Sequence, residues 1–164
     1  EEEALDACIR YSRDNARTPM QWSHEKEAGF TTGKPWLKVN PNYTEINVED
    51  QLKDEDSVLH FYKKLIALRK SEAYRETLIF GRFVPAFEAD EDVFAFYRES
   101  ESGDRIFIAA NFGKEEKMLT LPEKNYTVLL TNDDSAPEGT LSTLENDGTL
   151  CLKSCGAIVL REEA

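Results

Sequence analysis

The residues best suited to chemistry lie close together between Ser12 and Trp22. This stretch includes two guanidinium groups, a carboxylate, an amide, an indole and a stiffening proline: Arg13, Asp14, Asn15, Arg17, Pro19 and Trp22. A guanidinium can form paired hydrogen bonds with hydroxyl groups, and an aromatic ring can pack against the C–H face of a sugar. The stretch therefore predicts a binding site for a polyhydroxylated ligand. The same residues also fit a structural ion pair between arginine and aspartate that fixes a loop and contributes little energy.

The segment around these residues has no regular period. Residues 4–11 have apolar side chains at helical spacing and predict the end of a helix. From Ser12 to Tyr43 the chain contains both tryptophans, three prolines and two glycines, which indicates a long, ordered, irregular loop. Because long loops inside compact proteins are usually functional, we expect this loop to position the candidate binding residues.

A helix is predicted to follow the loop and to end near Lys70. Asp56 and Ser57 can cap its first turn, and apolar residues then recur on one helical face. Basic residues gather toward its C-terminal end, where they interact favourably with the helix dipole. His60 lies within this helix. It is expected to be a surface or interhelical histidine, because no second metal-ligating side chain follows four residues later.

The second half of the sequence predicts an antiparallel β-sandwich. Eight short β-prone runs are separated by turn-forming residues: Thr77–Phe83, Val93–Arg98, Arg105–Asn111, Lys117–Leu121, Tyr126–Thr131, Thr140–Leu144, Thr149–Lys153 and Ala157–Arg161. Seven of their side chains are spaced for inward-facing positions: Phe94, Phe96, Phe107, Leu119, Leu121, Leu129 and Val159. We therefore expect two domains, residues 1–75 and residues 76–164.

Composition argues against several classes of partner. With 20 Lys and Arg against 32 Asp and Glu, the net charge is −12, whereas nucleic acids and anionic membranes bind clustered basic residues. No stretch approaches the roughly 20 apolar residues that span a bilayer, and the first residues are acidic where a signal peptide is basic and apolar. Two histidines cannot complete a zinc set, so no metal and no cofactor are expected.

The three cysteines are too few for a disulfide framework. We expect Cys8, Cys151 and Cys155 to be buried or partly buried free thiols. A bridge between Cys151 and Cys155 across a bend is the minor alternative. Free thiols fit a reducing compartment, so a cytoplasmic location is expected.

Four uncommon sequence motifs in the first half of the chain resemble those of one enzyme family. In order, they are Ser12–Trp22, Ala28–Trp36, Val39–Tyr43 and Ile46–Val48. Their order and gaps are similar to those of the oligo-1,6-glucosidase, dextran glucosidase and trehalose-6-phosphate hydrolase branch of the α-amylase superfamily (glycoside hydrolase family 13). The resemblance implies an α+β fragment. Its first part is the end of a (β/α)₈ barrel with the last barrel helix, and its second part is an antiparallel β-sandwich.

The resemblance also implies roles for individual residues. The arginine that matches Arg13 helps to hold the non-reducing-end glucose in the −1 subsite, together with an aspartate from an earlier barrel loop. The rest of the motif is expected to shape the loop by hydrogen bonds: Asp14, Asn15 and Arg17. Trp22 and Trp36 are expected to pack and anchor the loop, since anchoring aromatics are commoner than sugar platforms.

The reacting carboxylates are expected to lie elsewhere. Retaining glycoside hydrolysis uses two carboxyl groups about 5–5.5 Å apart, and the resemblance places them on earlier barrel strands whose motifs this sequence lacks. A whole barrel needs about 250 residues. We therefore expect this chain to be the C-terminal part of a retaining, exo-acting α-glucosidase for short α-1,6- or α-1,4-linked gluco-oligosaccharides. Alone it is expected to be inactive, and to pack its unpartnered apolar residues on itself or to self-associate.

Two other functions remain open for the β half. It could be a carbohydrate-binding module, or a purely structural domain that shields the missing N-terminal barrel. The β half contains no tryptophan, whereas sugar-binding sandwiches usually offer exposed ring platforms. The sequence does not distinguish oligo-1,6-glucosidase from trehalose-6-phosphate hydrolase or sucrose isomerase, since the resemblance places linkage choice in earlier loops.

Overall fold

The structure is a computed structural model that describes residues 2–11, 13–122, 124–133, 141–142 and 148–163. At residues 2, 13, 15, 141 and 142 it describes the backbone and not the side chain. The chain divides into two compact units, residues 1–62 (unit 1) and residues 63–164 (unit 2). The domain boundary near residue 75 stays a prediction.

Unit 1 is built from helices and turns, and its described residues contain no strand. Helix α1 spans Glu2–Tyr11 and confirms the helix predicted at residues 4–11. Three 3-10 turns then follow, at Arg13–Ala16, Lys26–Gly29 and Pro41–Thr44, before the short helix α2 at Val48–Gln51. The long irregular loop predicted after α1 is confirmed.

Helix α3 spans Val58–Lys70, and side chains cap its start. The Ser57 hydroxyl oxygen accepts a hydrogen bond from the His60 N–H at 3.3 Å and donates to the Gln51 carbonyl at 2.8 Å. The Gln51 side-chain oxygen accepts the Leu59 N–H at 3.0 Å. Because the first N–H groups of a helix have no partner within it, these contacts fix where the helix begins. The predicted helix start near Ser57 is confirmed.

The strand predicted at Thr77–Phe83 is wrong in its first part. Residues Glu76–Phe80 form a π-helical turn, and strand β1 begins only at Arg82. Gly81 ends the turn where the backbone passes very close to its neighbours. A Cβ at Gly81 would lie 2.8 Å from the Glu99 carbonyl oxygen and closer still to that of Thr77. The β-branched and aromatic residues of this run are typical of a strand, but burial of Thr77 and Leu78 favours the turn.

Unit 2 contains two antiparallel sheets. Strands β1 to β8 span Arg82–Ala86, Val93–Glu99, Arg105–Asn111, Lys117–Thr120, Tyr126–Thr131, Leu141–Ser142, Thr149–Leu152 and Ala157–Glu162. Six form one sheet in the order β1-β2-β3-β8-β5-β6, and β4 pairs with β7 in the other. The predicted antiparallel sandwich is confirmed. The remainder of the strand predicted at Thr140–Leu144 lies outside the described residues.

The core of unit 2 lies on one face of the large sheet. It consists of Val93, Ala95, Tyr97, Phe107, Ala109, Leu119, Leu121, Tyr126, Val128, Leu150, Leu152, Ile158 and Leu160. Membership of this core confirms three of the expected inward positions: Phe107, Leu119 and Leu121.

Four expected inward positions are wrong. Val159 is buried, but it alternates along β8 with the core residues Ile158 and Leu160 and therefore lies on the opposite face. In β2 the core residues Val93, Ala95 and Tyr97 alternate with Phe94 and Phe96, which therefore lie on the opposite face. Phe94 is exposed. Leu129 is only half-buried, because the pairing of β5 with β8 shifts between Val128 and Leu130 and buries those two residues instead.

The expected burial of the cysteines is also wrong, because all three are exposed. Cys151 alternates along β7 with the buried residues Leu150 and Leu152, so its side chain points away from the core. Cys8 and Cys155 are free thiols, so no disulfide joins Cys151 to either of them. Within the described ranges, no helix has the length and apolar character needed to cross a membrane.

Candidate functional site

The candidate binding residues lie in the first turn after α1. Residues Arg13–Ala16 form a 3-10 turn, and the Arg17 N–H donates to the Asp14 carbonyl at 3.0 Å. Asp14 and Arg17 have exposed side chains. The side chains of Arg13 and Asn15 lie outside the described part of the chain. The substrate-binding role of Arg13 and the loop-shaping roles of Asp14, Asn15 and Arg17 stay predictions.

A tight reversal follows this turn. The N–H groups of Trp22 and Ser23 both donate to the Ala28 carbonyl oxygen, at 2.9 and 3.1 Å. Glu27, Ala28 and Gly29 have φ values of 54°, 57° and 64°. This left-handed conformation is unfavourable for residues with a Cβ, and it is held here by the burial of Ala28 and by the two hydrogen bonds.

The reversal is attached to helix α2 by its backbone. The N–H groups of Val48 and Glu49 donate to the carbonyl oxygens of Gln21 and Trp22, both at 3.0 Å. The Gln21 side-chain amide donates to the Ile46 carbonyl. The carbonyl oxygens of the loop therefore accept hydrogen bonds from the otherwise unpaired N–H groups at the start of α2. These bonds hold the end of the candidate motif against a segment about 25 residues later in the chain.

Asn47 holds this junction together. Its side chain is 2% exposed. The Asn47 Oδ1 accepts the Asp50 N–H at 2.9 Å, and its Nδ2 donates to the Tyr43 carbonyl at 3.1 Å and to Asp50 Oδ2 at 2.8 Å. The hydrogen bond from Asn47, followed by that from Lys53, lowers the pKa of Asp50. This capping role of Asn47 was not predicted from the sequence, although an asparagine before Val48-Glu49-Asp50 is typical of a helix N-cap.

The two tryptophans differ from what the sequence predicted. Trp22 is half-exposed and Trp36 is 84% exposed. Within residues 1–164, Trp36 therefore does not anchor the loop by burial. The backbone contacts of Trp22, rather than its ring, fix its position.

Ser57 and His60 form a pair that superficially resembles a nucleophile with its base. The Ser57 Oγ lies 3.1 Å from the His60 Nδ1, which also lies 2.7 Å from the Asp54 carbonyl oxygen. A carbonyl oxygen only accepts hydrogen bonds, so Nδ1 bears the proton and donates it. It therefore cannot accept the serine proton as a general base must, and the pair is structural.

Asp90 and Asp92 are neighbouring carboxylates, but their environment does not suit acid catalysis. Lys117 Nζ lies 2.9 Å from Asp90 Oδ1 and 2.8 Å from Asp92 Oδ2. The hydrogen bond from Lys117 lowers the pKa of Asp90, and hydrogen bonds to Asp92 and Asp90 raise the pKa of Lys117. A glycosidase proton donor needs a raised pKa, so this cluster is an ion pair and not a catalytic dyad.

A second pair of carboxylates surrounds Arg105. Its Nε lies 2.8 Å from Glu99 Oε1, and its Nη1 lies 3.1 Å from Glu162 Oε2. The guanidinium also lies 4.3 Å from the Tyr97 ring centroid. Arg82 also contacts Glu99, and Lys124 also contacts Glu162. The two carboxylates therefore belong to a structural ion-pair network at one end of the sheet. No group of three or more potential metal ligands occurs among the residues with described positions.

Two family models match the chain, one in each half. The model described as the α-amylase catalytic domain matches residues 1–77. The model described as the SusG α-amylase C-terminal domain matches residues 93–153.

Individual relatives agree with these matches. An α-glucosidase of Candida albicans is 42% identical over 88% of this chain and 25% of the relative. An oligo-1,6-glucosidase of Bacillus cereus is 43% identical over 74% of this chain and 21% of the relative. The crystal structure of trehalose-6-phosphate hydrolase from Bacillus licheniformis has a TM-score of 0.83 and 33% identity, covering 99% of this chain and 28% of that chain. The chain thus spans about a quarter of the length of the relatives it matches.

Proposed function

Since this chain belongs to the α-amylase superfamily, glycoside hydrolase family 13, we propose that its whole protein is a retaining, exo-acting α-glucosidase. The expected family and fold are confirmed, because the chain corresponds to the end of the barrel and the C-terminal sheet domain. The homologues are α-glucosidases and oligo-1,6-glucosidases. This agreement is the observation that supports short α-1,6- or α-1,4-linked gluco-oligosaccharides as substrates.

In this proposal, unit 1 contributes one substrate-binding residue. Arg13 donates paired hydrogen bonds to hydroxyl groups of the glucose at the non-reducing end. The described contacts indicate that the loop bearing Arg13 is held in a fixed conformation. The Val48 N–H donates to the Gln21 carbonyl, and Asn47 bonds to the Tyr43 carbonyl. A fixed loop loses little conformational freedom when substrate binds.

The nucleophilic and proton-donating carboxyl groups are proposed to lie in the part of the barrel outside residues 1–164. Two observations within the chain support this. Lys117 forms ion pairs with both Asp90 and Asp92, and Arg105 forms ion pairs with both Glu99 and Glu162. A carboxylate held in an ion pair is not free to act as a nucleophile, so neither pair offers the free nucleophile beside a proton donor that the reaction requires.

A direct assay tests the function. The whole protein is expected to hydrolyse p-nitrophenyl α-glucoside and isomaltose with release of glucose, and the 164-residue chain alone is expected to give no rate above a blank. NMR of the anomeric proton should show that the glucose first released is the α-anomer, because a retaining enzyme preserves the anomeric configuration. Turnover by the 164-residue chain, or β-glucose from the whole protein, would contradict the proposal.

The sheet domain is proposed to be structural rather than sugar-binding. All tryptophans of the chain lie before residue 40, and the exposed aromatic side chains of the domain are phenylalanines. Titration calorimetry of the 164-residue chain with maltose, isomaltose and panose is expected to give no binding heat. Measurable affinity that survives removal of residues 1–75 would favour a carbohydrate-binding module instead. We also propose a cytoplasmic location, which the exposed free thiols of Cys8 and Cys155 support.

A further inference from the structure

Gln21 is attached to one segment of unit 1 at two points. Its side-chain Nε2 donates to the Ile46 carbonyl oxygen, and its own carbonyl oxygen accepts the Val48 N–H at 3.0 Å. A single hydrogen bond leaves the chain free to turn about it, whereas two directional bonds to one segment restrict that rotation. Gln21 therefore fixes the direction of the chain at the end of the candidate motif as well as its position.

The segment that receives Gln21 is itself held in place. The Ile46 N–H donates to the Asn42 carbonyl at 2.8 Å. The next residue, Asn47, is 2% exposed and donates to the Tyr43 carbonyl at 3.1 Å. The acceptor of the Gln21 side chain therefore belongs to a fixed part of the backbone, and the bond to it fixes Gln21 in turn.

The chain between Gln21 and Arg13 is short and restricted. Arg13 begins a 3-10 turn, at the end of which the Arg17 N–H donates to the Asp14 carbonyl at 3.0 Å. Pro19 is buried, its ring holds its own φ at about −65°, and it also restricts the residue before it. Few backbone angles can therefore vary between the two residues, and a displacement at Gln21 is passed on to the turn.

We propose that Gln21 is a positioning residue that sets the place of Arg13 in the glucose-binding site. The proposal rests on the glucosidase function proposed above and adds a residue to that site. Gln21 does not touch the substrate; it acts through the backbone of the turn. A misplacement of about 1 Å in a group that holds the substrate can lower a rate about 100-fold, so one side-chain bond is able to control activity.

The chemistry of the Gln21 contact defines a clean substitution. The Ile46 carbonyl needs a donor, which the glutamine amide supplies. Methionine has a similar length and bulk, but its thioether has no proton to donate. Gln21→Met therefore removes the hydrogen bond and keeps the volume. The bond lies at an exposed position, so water can replace the lost donor and the fold is expected to lose little stability.

A double-mutant cycle on the whole protein tests the proposal. The specificity constant kcat/KM for isomaltose is measured for the unsubstituted enzyme, Gln21→Met, Arg13→Lys and the double variant, all well below their unfolding temperatures. Gln21→Met alone is expected to lower kcat/KM about tenfold. In the Arg13→Lys background it is expected to change kcat/KM by less than about twofold, because the paired donors that Gln21 positions are already lost.

A second substrate gives an independent readout of the same variants. Isomaltose and p-nitrophenyl α-glucoside present the same glucose to Arg13 and differ only in the leaving group. The fold loss in kcat/KM caused by Gln21→Met is therefore expected to be equal for the two substrates. A general loosening of the protein would not produce coupling to Arg13.

Gln51→Met is the matched control. The Gln51 side-chain oxygen accepts the Leu59 N–H at 3.0 Å, so this variant also removes one bond between a glutamine side chain and the backbone of unit 1. It is expected to lower the unfolding temperature at least as much as Gln21→Met. It should leave kcat/KM within about twofold in both backgrounds, because Gln51 supports the start of α3 and not the turn of Arg13.

Failure of the positioning role can be told apart from failure of the proposed function. With an active unsubstituted enzyme, three results would overturn the positioning role alone: no loss from Gln21→Met, an equal loss with and without Arg13→Lys, or an equal loss from Gln51→Met. No hydrolysis of either substrate by the unsubstituted whole protein would overturn the proposed function and the positioning role with it.

Discussion

The buried residues of unit 1 differ in kind from those of unit 2. Among the described residues of unit 1, four are buried: Pro19, Ala28, Asn47 and Ser57. Unit 2 buries a cluster of thirteen core side chains, mostly large and apolar. Unit 1 is therefore held by directed hydrogen bonds to single atoms, and unit 2 by the removal of apolar surface from water. Hydrogen bonds can fix a loop at a binding site, whereas an apolar core stabilises without directing any group at a ligand.

The two units can be followed by separate signals. Both tryptophans lie in unit 1 and none in unit 2, so tryptophan fluorescence reports on unit 1. The eight strands that the structure describes all lie in unit 2, so the far-ultraviolet circular dichroism of β-structure reports on that unit.

Phe107→Ala is expected to give the largest change in stability. Phe107 is fully buried and contacts the rings of Tyr97 and Phe87. Its truncation should cost about 3–5 kcal/mol of unfolding free energy, because it leaves a cavity in the core. Urea unfolding of the 164-residue chain, followed by the β-structure signal, measures the loss. The matched control is Phe94→Ala, and an equal loss from both variants would contradict a core on one face only.

Asn111→Asp is expected to destabilise unit 2 at a buried side-chain amide. Asn111 Nδ2 donates to the carbonyl oxygens of Glu115, Leu152 and Lys153 at 2.8, 3.1 and 3.0 Å, and its Oδ1 accepts from Gly113 N–H at 2.8 Å. A carboxylate there has no proton to donate, so about 2–4 kcal/mol of stability should be lost at neutral pH. Acidification should restore part of it, since a protonated carboxyl group can donate again. A loss that does not depend on pH would contradict this explanation.

Asn47→Ala tests whether hydrogen bonds hold unit 1. The variant removes the cap of α2 and the bond to the Tyr43 carbonyl, at an expected cost of about 1–3 kcal/mol. Urea unfolding should show the loss in the tryptophan signal and leave the β-structure transition in place. Thr44→Ala is a control at an exposed position. A shift confined to the β-structure signal would show that Asn47 does not stabilise unit 1.

Asp90→Asn is expected to have the smallest effect, and its sign depends on pH. The contact with Lys117 lowers the pKa of Asp90 in the folded chain below its ordinary value of 3.8. The carboxylate therefore stabilises the fold above that value, and the contribution disappears as the pH falls through the lowered pKa. Unfolding temperatures of the variant and the unsubstituted chain should differ slightly at neutral pH and converge in acid. A difference that grows in acid would contradict the ion pair.

Alternation of apolar residues predicted the strands of unit 2 but not which face they present. In β2 both faces are apolar, because Val93, Ala95 and Tyr97 face the core while Phe94 and Phe96 lie on the opposite face of the sheet. A period-two pattern cannot distinguish the faces when both are hydrophobic. The π-helical turn at Glu76–Phe80 was missed because tertiary burial outweighed strand propensity.

The sequence motifs of the candidate site could be recognised from the sequence, but the long-range contacts that hold its loop could not. Proline, glycine and the polar motif predicted an ordered loop between α1 and α2. The contact between Gln21 and Ile46 depends on a chain reversal across about 25 residues, which local spacing does not encode. The hydrogen bonds of Asn47 are local, to Tyr43 and Asp50. The cap preference of asparagine was the available signal.

The most direct test of the account is the specificity constant of the whole protein for isomaltose after Arg13→Lys, with Arg17→Lys as the matched control. Lysine keeps the charge but loses the paired donors. We predict that kcat/KM falls about 10- to 100-fold for Arg13→Lys, as expected for a charged hydrogen bond of roughly 1.5–3 kcal/mol. Arg17→Lys should change kcat/KM by less than about threefold. Equal activity of the Arg13→Lys variant and the unsubstituted enzyme would contradict the assignment of Arg13 to the glucose-binding site.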